Sequence, residues 1–257
     1  MTSPLQGYTL LNTRAIHQAA PLTKYLEKHG GNVVEIPLIS MKKTSDPKIK
    51  EAIKMIHTYD YIVFTSTNSI SFFLEILKEQ GLSKREICNM KFAVVGKSTL
   101  RSLNKEGFDA DIIPPIFDAE HLASALKTEL SAGEKVLYPK SDLARDVLTR
   151  ELHKVGIQID DPSVYETVFR IDDKAKLNEL IKKNLIHIII FTSPSTVHSF
   201  FSQVDKEVVM NNVDKLHFAV IGSVTSRALK DEGIEEMIIP KEFTTEALVH
   251  AIMKHIK

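Results

Sequence analysis

The sequence predicts a doubly wound α/β protein with one parallel sheet in each half of the chain. Three observations carry this. The chain repeats itself at a spacing of 126 residues. Each copy alternates short apolar runs with amphipathic stretches, the pattern of strands laid between helices. The length, 257 residues, fits either two domains of about 120–130 residues or one large one, at the usual ~150 residues per domain.

The repeat is read from matched residues. Val95-Gly96-x-x-Thr99-x-Arg101-x-Leu103 corresponds to Ile221-Gly222-x-x-Thr225-x-Arg227-x-Leu229. Glu106-Gly107 corresponds to Glu232-Gly233, Ile112-Ile113-Pro114 to Ile238-Ile239-Pro240, and Glu120-x-Leu122 to Glu246-x-Leu248. Phe64-Thr65-Ser66 and Phe191-Thr192-Ser193 match one residue out of step, at 127. Leu11, Leu26, Gly30 and Val33 pair with Leu137, Leu152, Gly156 and Ile159.

In chain order, the apolar runs of the first half are Tyr8–Leu11, Tyr61–Phe64, Phe92–Val95 and Ile112–Ile113. Those of the second half are Val136–Tyr138, Ile188–Phe191, Phe218–Ile221 and Met237–Ile239. All are short and rich in β-branched or aromatic residues, which suits strands covered on both faces. Between them, Ser69–Glu79 gathers Ile70, Phe73, Leu74 and Leu77 on one helical face, and Leu143–Val155 gathers Val147, Leu148 and Leu152.

Composition narrows the function. Lys+Arg and Asp+Glu are both 33, so the net charge is zero, which argues against a broad nucleic-acid surface. The single cysteine, Cys88, excludes an internal disulfide framework and a cysteine-rich zinc site. The ten histidines do not fall at ligand spacing with carboxylates, so no metal site is expected. Met1–Tyr8 has no basic residue and no apolar run of signal-peptide type. Asn184–Val204 lacks charge but is about half polar, too polar for a membrane span. A cytoplasmic protein is the expectation.

Ligands of open α/β sheets bind at the carboxyl ends of the strands. There the sequence places Thr13-Arg14, Thr65-Ser66-Thr67-Asn68, Gly96-Lys97-Ser98-Thr99, Lys140-Ser141, Thr192-Ser193-Pro194-Ser195-Thr196 and Gly222-Ser223-Val224-Thr225. Each is read as a turn leading into a helix, where free N–H groups and the helix dipole favour an oxyanion. Any one of them, taken alone, is explained as an N-cap. Several facing one cleft argue for an anionic ligand. Arg14, Lys140 and Arg145 are either solvated helix-start charges or partners for such a ligand.

Some resemblances mislead. Gly96-Lys97-Ser98 looks like the end of a phosphate-binding loop, but Lys91 stands where that loop needs its first glycine. Neither G-x-G-x-x-G nor G-x-S-x-G occurs, which weakens dinucleotide and serine-hydrolase readings.

One set of residues is similar to a known family. Phe64-Thr65-Ser66-x-Asn68, Val95-Gly96-x-x-Thr99, Val164-Tyr165-x-Thr167, Phe191-Thr192-Ser193-Pro194-Ser195 and Ile221-Gly222-x-x-Thr225-x-Arg227-x-Leu229 resemble uroporphyrinogen-III synthase in order and spacing. No single motif is specific; the combination with the repeat is. The resemblance implies a lyase that removes water from hydroxymethylbilane, a linear tetrapyrrole with an acetate and a propionate on each ring. The macrocycle closes with inversion of the last ring through a spiro intermediate, without metal or organic cofactor. It implies a catalytic acid at Tyr165; a phenol titrates near ~10 and holds its proton at neutral pH. The substrate-binding set it implies is Arg14, Thr65, Ser66, Asn68, Gly96, Ser98, Thr99, Lys140, Arg145, Ser193, Ser195, Thr196, Gly222 and Thr225. Lys97, Ser98 and Val224 depart from the family's usual residues. A monomer is implied, with transient hand-over of the unstable substrate from hydroxymethylbilane synthase, and no nucleic-acid or membrane partner.

The resemblance also implies how the chain is divided: two flavodoxin-like doubly wound domains joined by a two-stranded hinge. Residues 1–35 and 171–257 form one domain and 42–163 the other. Residues 36–41 and 164–170 make the linker, and Ile39 and Tyr165 occupy the same place in the two copies. Two other readings compete. A non-catalytic two-domain protein binding a small anion would show no turnover. A flavin- or nucleotide-binding pair would purify coloured or nucleotide-bearing.

Overall fold

The computed structural model describes residues 3–131 and 133–256. Met1, Thr2 and Lys257, at the ends of the expected first domain, and Ala132 in the second lie outside the described residues. The strands are β1 (Thr9–Asn12), β2 (Asn32–Glu35), β3 (Ile39–Lys43), β4 (Tyr61–Phe64), β5 (Lys91–Val94), β6 (Lys135–Leu137), β7 (Lys140–Ser141), β8 (Gln158–Asp160), β9 (Ser163–Phe169), β10 (Ile188–Phe191) and β11 (His217–Val220). The helices are α1 (Ile16–Lys28), α2 (Pro47–Lys54), α3 (Thr67–Glu79), α4 (Lys97–Lys105), α5 (Ala119–Glu129), α6 (Val147–His153), α7 (Lys174–Lys182), α8 (Pro194–Phe201), α9 (Lys206–Met210), α10 (Ser223–Asp231) and α11 (Thr245–His255).

The chain forms two compact units, Met1–Met41 with Val168–Lys257, and Lys42–Thr167. In the first unit the strands run β11-β10-β1-β2, all parallel, and Ile238 adds a parallel bridge to Ala219 at the edge. Counted along the chain this is the order 2-1-3-4-5, whose switch point falls between β1 and β10. Leu11, Ile189, Phe191, Phe218 and Val220 pack on one face with Leu177, Val197, Phe200 and Leu229. Leu10, Ile188, Ile190 and Ala219 pack on the other with Leu22, Leu26, Leu248 and Ile252. Helices on both faces explain why these strands are continuously apolar rather than alternating.

The second unit has the parallel order β5-β4-β6-β8, with Ile112 bridged to Ala93. When strands 126 or 127 residues apart are put in correspondence, this is the order of the first unit. Its switch point lies between β4 and β6. Tyr61, Val63, Ala93 and Val136 pack with Leu122, Leu126, Leu148 and Leu152. On the opposite face Phe64 sits against Phe73 and Phe92, at ring-centroid distances of 5.7 and 6.4 Å.

A third sheet, β3-β9-β7, contains both points where the chain passes from one unit to the other. Thr44 N–H donates to the Val164 carbonyl at 3.1 Å and Arg170 N–H to that of Leu38 at 2.9 Å, an antiparallel register.

Three expectations are corrected. Ile112–Ile113 and Met237–Ile239 are not full strands but single bridges, since Pro114 and Pro240 follow at once and offer no N–H to a ladder. The helix expected from Leu143 starts at Val147. Hydrogen bonds from Asp142 N–H to the Tyr165 carbonyl (3.1 Å) and from Leu143 N–H to Ser141 Oγ (3.0 Å) hold the intervening turn open. Lys140-Ser141 is a short strand, parallel to β9, rather than a helix-start loop. No helix among the described residues is long and apolar enough to cross a membrane.

Candidate functional site

In the second unit the candidate residues converge where β4 and β6 end. β4 runs out at Phe64 because Ser66 turns the chain and caps α3, its Oγ accepting from Ser69 N–H at 3.1 Å. That same Oγ lies 2.8 Å from Ser69 Oγ and 3.4 Å from the phenolic oxygen of Tyr165. Tyr165 comes from β9 and is 7% exposed. Its ring stacks on Phe72 of α3, centroids 5.3 Å apart and planes 21° from parallel. Thr65 Oγ1 lies 3.2 Å from the hydroxyl of Tyr138, the residue that follows β6. Thr65, Ser66 and Tyr165 are therefore brought together, and Asn68 lies half-buried in the first turn of α3.

The remaining members of this unit vary. Gly96 opens α4 with φ +86° and ψ 152°, a conformation open in practice only to glycine. Ser98 is exposed in the first turn of α4, while Thr99 is buried. Lys140 bridges Asp146 (2.8 Å) and Asp161 (2.6 Å), and Asp161 also accepts from Thr149 Oγ1 at 2.7 Å. Burial works against the Lys140 ammonium, but the two carboxylates outweigh it and raise its pKa. Arg145 forms a two-pronged pair with Glu120, at 2.8 and 3.2 Å. Both cations already hold carboxylates.

The first unit has its own set at the end of β1 and β10. Thr13 Oγ1, fully buried, donates to the Ile190 carbonyl at 2.7 Å, tying the two switch-point strands. Asn12 Oδ1 accepts from Arg14 N–H at 3.2 Å, and Arg14 Nη1 donates to Thr245 Oγ1 at 3.4 Å. Arg14 Nε is buried without a hydrogen-bond partner, and burial lowers the guanidinium's pKa from its ordinary value. Ser193 caps α8, its Oγ 2.9 Å from Ser195 Oγ, and Thr196 Oγ1 returns a bond to the Ser193 carbonyl at 2.7 Å. Gly222 is extended, and a Cβ placed there would stand 3.1 Å from the Phe243 ring. Thr225 is buried in the first turn of α10.

Tyr138, Ser69 and Phe72 escaped the sequence reading. Tyr138 was absorbed into an apolar strand run. A signal was available, since its counterpart 126 residues earlier is the polar Asn12. A hollow of about 880 Å³ lined by residues such as Ile238, Lys241, His250 and Lys254 contains none of the candidate residues. Among the described residues no group of three or more His, Cys, Asp or Glu is placed to hold a metal ion.

What the set can do chemically follows from its donors. Hydroxyls, helix N-termini and one under-partnered guanidinium suit carboxylates, and a phenol with a hydroxyl neighbour can deliver a proton. The family model for uroporphyrinogen-III synthase HemD matches residues 20–250. A porphyrin biosynthesis protein HemD from Ruminiclostridium josui is 29% identical over 99% of this chain, which spans about half of that relative's length. A uroporphyrinogen-III synthase from Chlorobaculum parvum is 28% identical over 97% of this chain and 99% of its own. In fold, the chain is similar to a crystal structure of a mutant uroporphyrinogen III synthase from the extreme thermophile Thermus thermophilus, with a TM-score of 0.68 at 15% identity, covering 97% of each. With the model matched over most of its length, the chain belongs to the uroporphyrinogen-III synthase family of tetrapyrrole biosynthesis.

Proposed function

We propose that this chain is a cyclising hydro-lyase that converts hydroxymethylbilane to uroporphyrinogen III. The observation that carries the reading is the Tyr165 phenol, stacked on Phe72 and within 3.4 Å of Ser66 Oγ at the carboxyl end of β4. In this reading the phenol gives its proton to the departing hydroxyl of the substrate, so the C–O bond breaks and water leaves. The cation left on the substrate is attacked by a ring carbon of the last pyrrole, giving the spiro intermediate. Fragmentation and reclosure invert that ring. The proton lost when the ring regains its aromaticity returns to the phenolate, so the enzyme ends as it began.

Because the substrate closes unaided to the uninverted isomer, the larger task of the protein is to hold the chain in the arrangement that inverts. Gly96, Ser98, Thr99, Asn68 and Thr65 are one set of candidate donors for it, and Ser193, Ser195, Thr196, Gly222, Thr225 and Arg14 are another. Arg14 is the strongest single candidate for a substrate carboxylate, because its Nε lacks a protein partner. Lys140 and Arg145 reach substrate only by exchanging the carboxylates that now hold them. The enzyme works as a cytoplasmic monomer that takes its substrate by hand-over and needs no metal.

The test is anaerobic turnover of hydroxymethylbilane by chelated, desalted protein, with the isomers separated by chromatography. Isomer III is the expected product. Isomer I alone, at the unaided rate, overturns the proposal and favours a non-catalytic anion binder.

A further inference from the structure

Tyr138 is 3% exposed, and its hydroxyl lies 3.2 Å from Thr65 Oγ1, within hydrogen-bonding distance. A buried phenol needs a partner, so this bond settles where the ring's polar end points. Thr65 is followed directly by Ser66, whose Oγ accepts from Ser69 N–H and stands near both Ser69 Oγ and Tyr165. A hydroxyl has one proton and two lone pairs. With one lone pair taken by the cap, Ser66 can only donate to one of its two hydroxyl neighbours and accept from the other. Its placement therefore decides how the Tyr165 proton is held.

At 3.4 Å the Ser66–Tyr165 contact is at the long end of hydrogen bonding. A movement of the turn by roughly 0.5 Å would break it or make it a good bond. The groups that fix the turn therefore control it, and Tyr138, just past the end of the neighbouring strand β6, reaches it. Its counterpart Asn12 does something different. Asn12 Nδ2 bonds within its own βα segment, to the Ala19 carbonyl at 3.1 Å and Thr23 Oγ1 at 3.0 Å. The unit that contains Tyr165 thus differs from its sister at this position, with a side chain directed to the turn beside the phenol.

We propose that Tyr138 is a positioning residue for Tyr165, acting through the Thr65-Ser66 turn. The inference rests on the reading of Tyr165 as proton donor. It is tested on the full chain with hydroxymethylbilane under anaerobic conditions. Tyr138→Phe removes only the hydroxyl. The isomer III kcat is expected to fall about tenfold with KM within about twofold. The melting temperature should move by no more than about 4 °C, the effect of one lost hydrogen bond. Tyr138→Phe/Tyr165→Phe should be as slow as Tyr165→Phe alone, because a positioning residue has nothing left to position. Thr65→Val should reproduce the loss from the other side of the bond, and Thr65→Ser, which keeps the hydroxyl, should run faster than Thr65→Val. A wild-type kcat in Tyr138→Phe, or losses that multiply in the double variant, overturns the inference while Tyr165 stands as donor. A wild-type rate in Tyr165→Phe overturns the donor reading and this inference with it.

Discussion

The Ser66 hydroxyl lies 3.4 Å from the Tyr165 phenol although 99 residues separate them in the chain. Ser66 lies two residues past the end of β4, and Tyr165 is on β9, which is paired in a different sheet. The contact exists because the turn into α3 also brings Phe72 under the Tyr165 ring. A serine that a sequence reader takes as a helix cap is therefore also a neighbour of the proposed acid. The two roles use different faces of one oxygen.

Tyr165→Phe keeps the ring on Phe72 and removes the donor. The isomer III rate is expected to fall roughly 10²–10⁴-fold, the usual worth of one general acid, or less where water substitutes. Because the stacking survives, the melting temperature should barely move. Ser66→Ala should cost rate as well, but it also removes a helix cap worth ~1 kcal/mol. An unchanged rate in Tyr165→Phe, measured beside its melting curve, removes Tyr165 from the mechanism.

Gly96 and Gly222 occupy equivalent places in the repeat but not equivalent conformations. Gly96→Ala forces a side chain into φ +86°, ψ 152°, which costs about 1–3 kcal/mol. Gly222 is extended, so Ala there meets only the Phe243 ring at 3.1 Å, and that ring is exposed enough to yield. Urea titration should give Gly96→Ala the lower midpoint by a clear margin. Equal midpoints would sink the distinction.

That pair also indicates what the sequence could and could not tell. Parallel strands such as Tyr61–Phe64 and Ile188–Phe191 were legible because they are buried on both faces and read as unbroken apolar runs. The family was legible because turn residues recur in register. Backbone conformation at Gly96 and Gly222 was not, since the same Val/Ile-Gly motif accommodates two different turns. Nor were the partners of Lys140 and Arg145, because Asp161 and Glu120 lie 21 and 25 residues away and meet them only in the fold. Tyr138 was hidden by its own hydrophobicity. Its ring belongs to the core, and only its last atom belongs to the proposed site.

Thr99 and Thr225 are only 2% and 3% exposed, so replacement by Ala would open a void as well as remove a hydroxyl. Val keeps the shape. Thr99→Val and Thr225→Val are expected to hold the melting temperature within a few degrees yet weaken binding of uroporphyrinogen III, read by anaerobic calorimetry. Loss of one hydrogen bond to a charged group corresponds to about 10-fold in affinity. Affinity equal to the parent in both variants would make these threonines helix-start core residues and nothing more.

At the amino end of the first unit's sheet, acid should loosen the fold through His217. This imidazole, at the start of β11, stands 5.0 Å from the ring of His255 on α11. The backbone N–H of His217 donates to the carbonyl of His187, whose Nδ1 accepts from Thr9 N–H at 2.9 Å. Burial pushes the His217 pKa below its ordinary 6.5, and the neighbouring His255 and His187 push it further. Asp214, Glu235 and Glu236 line a second hollow together with His217 and His255. Between the folded pKa and 6.5 the unfolded chain therefore binds more protons than the native one, so stability rises with pH across that window. The contribution is intact above about 6.5 and is lost as the pH falls through the folded value. His217→Gln removes the titration. Melting temperatures at about pH 7.5, 6.5 and 5.5, spanning the ordinary histidine range, should fall more steeply for the parent than for this variant. His255→Gln should lie between them, because it removes one of the two imidazole neighbours. Parallel lines for the parent and His217→Gln would show that this cluster does not set the acid limit of the fold.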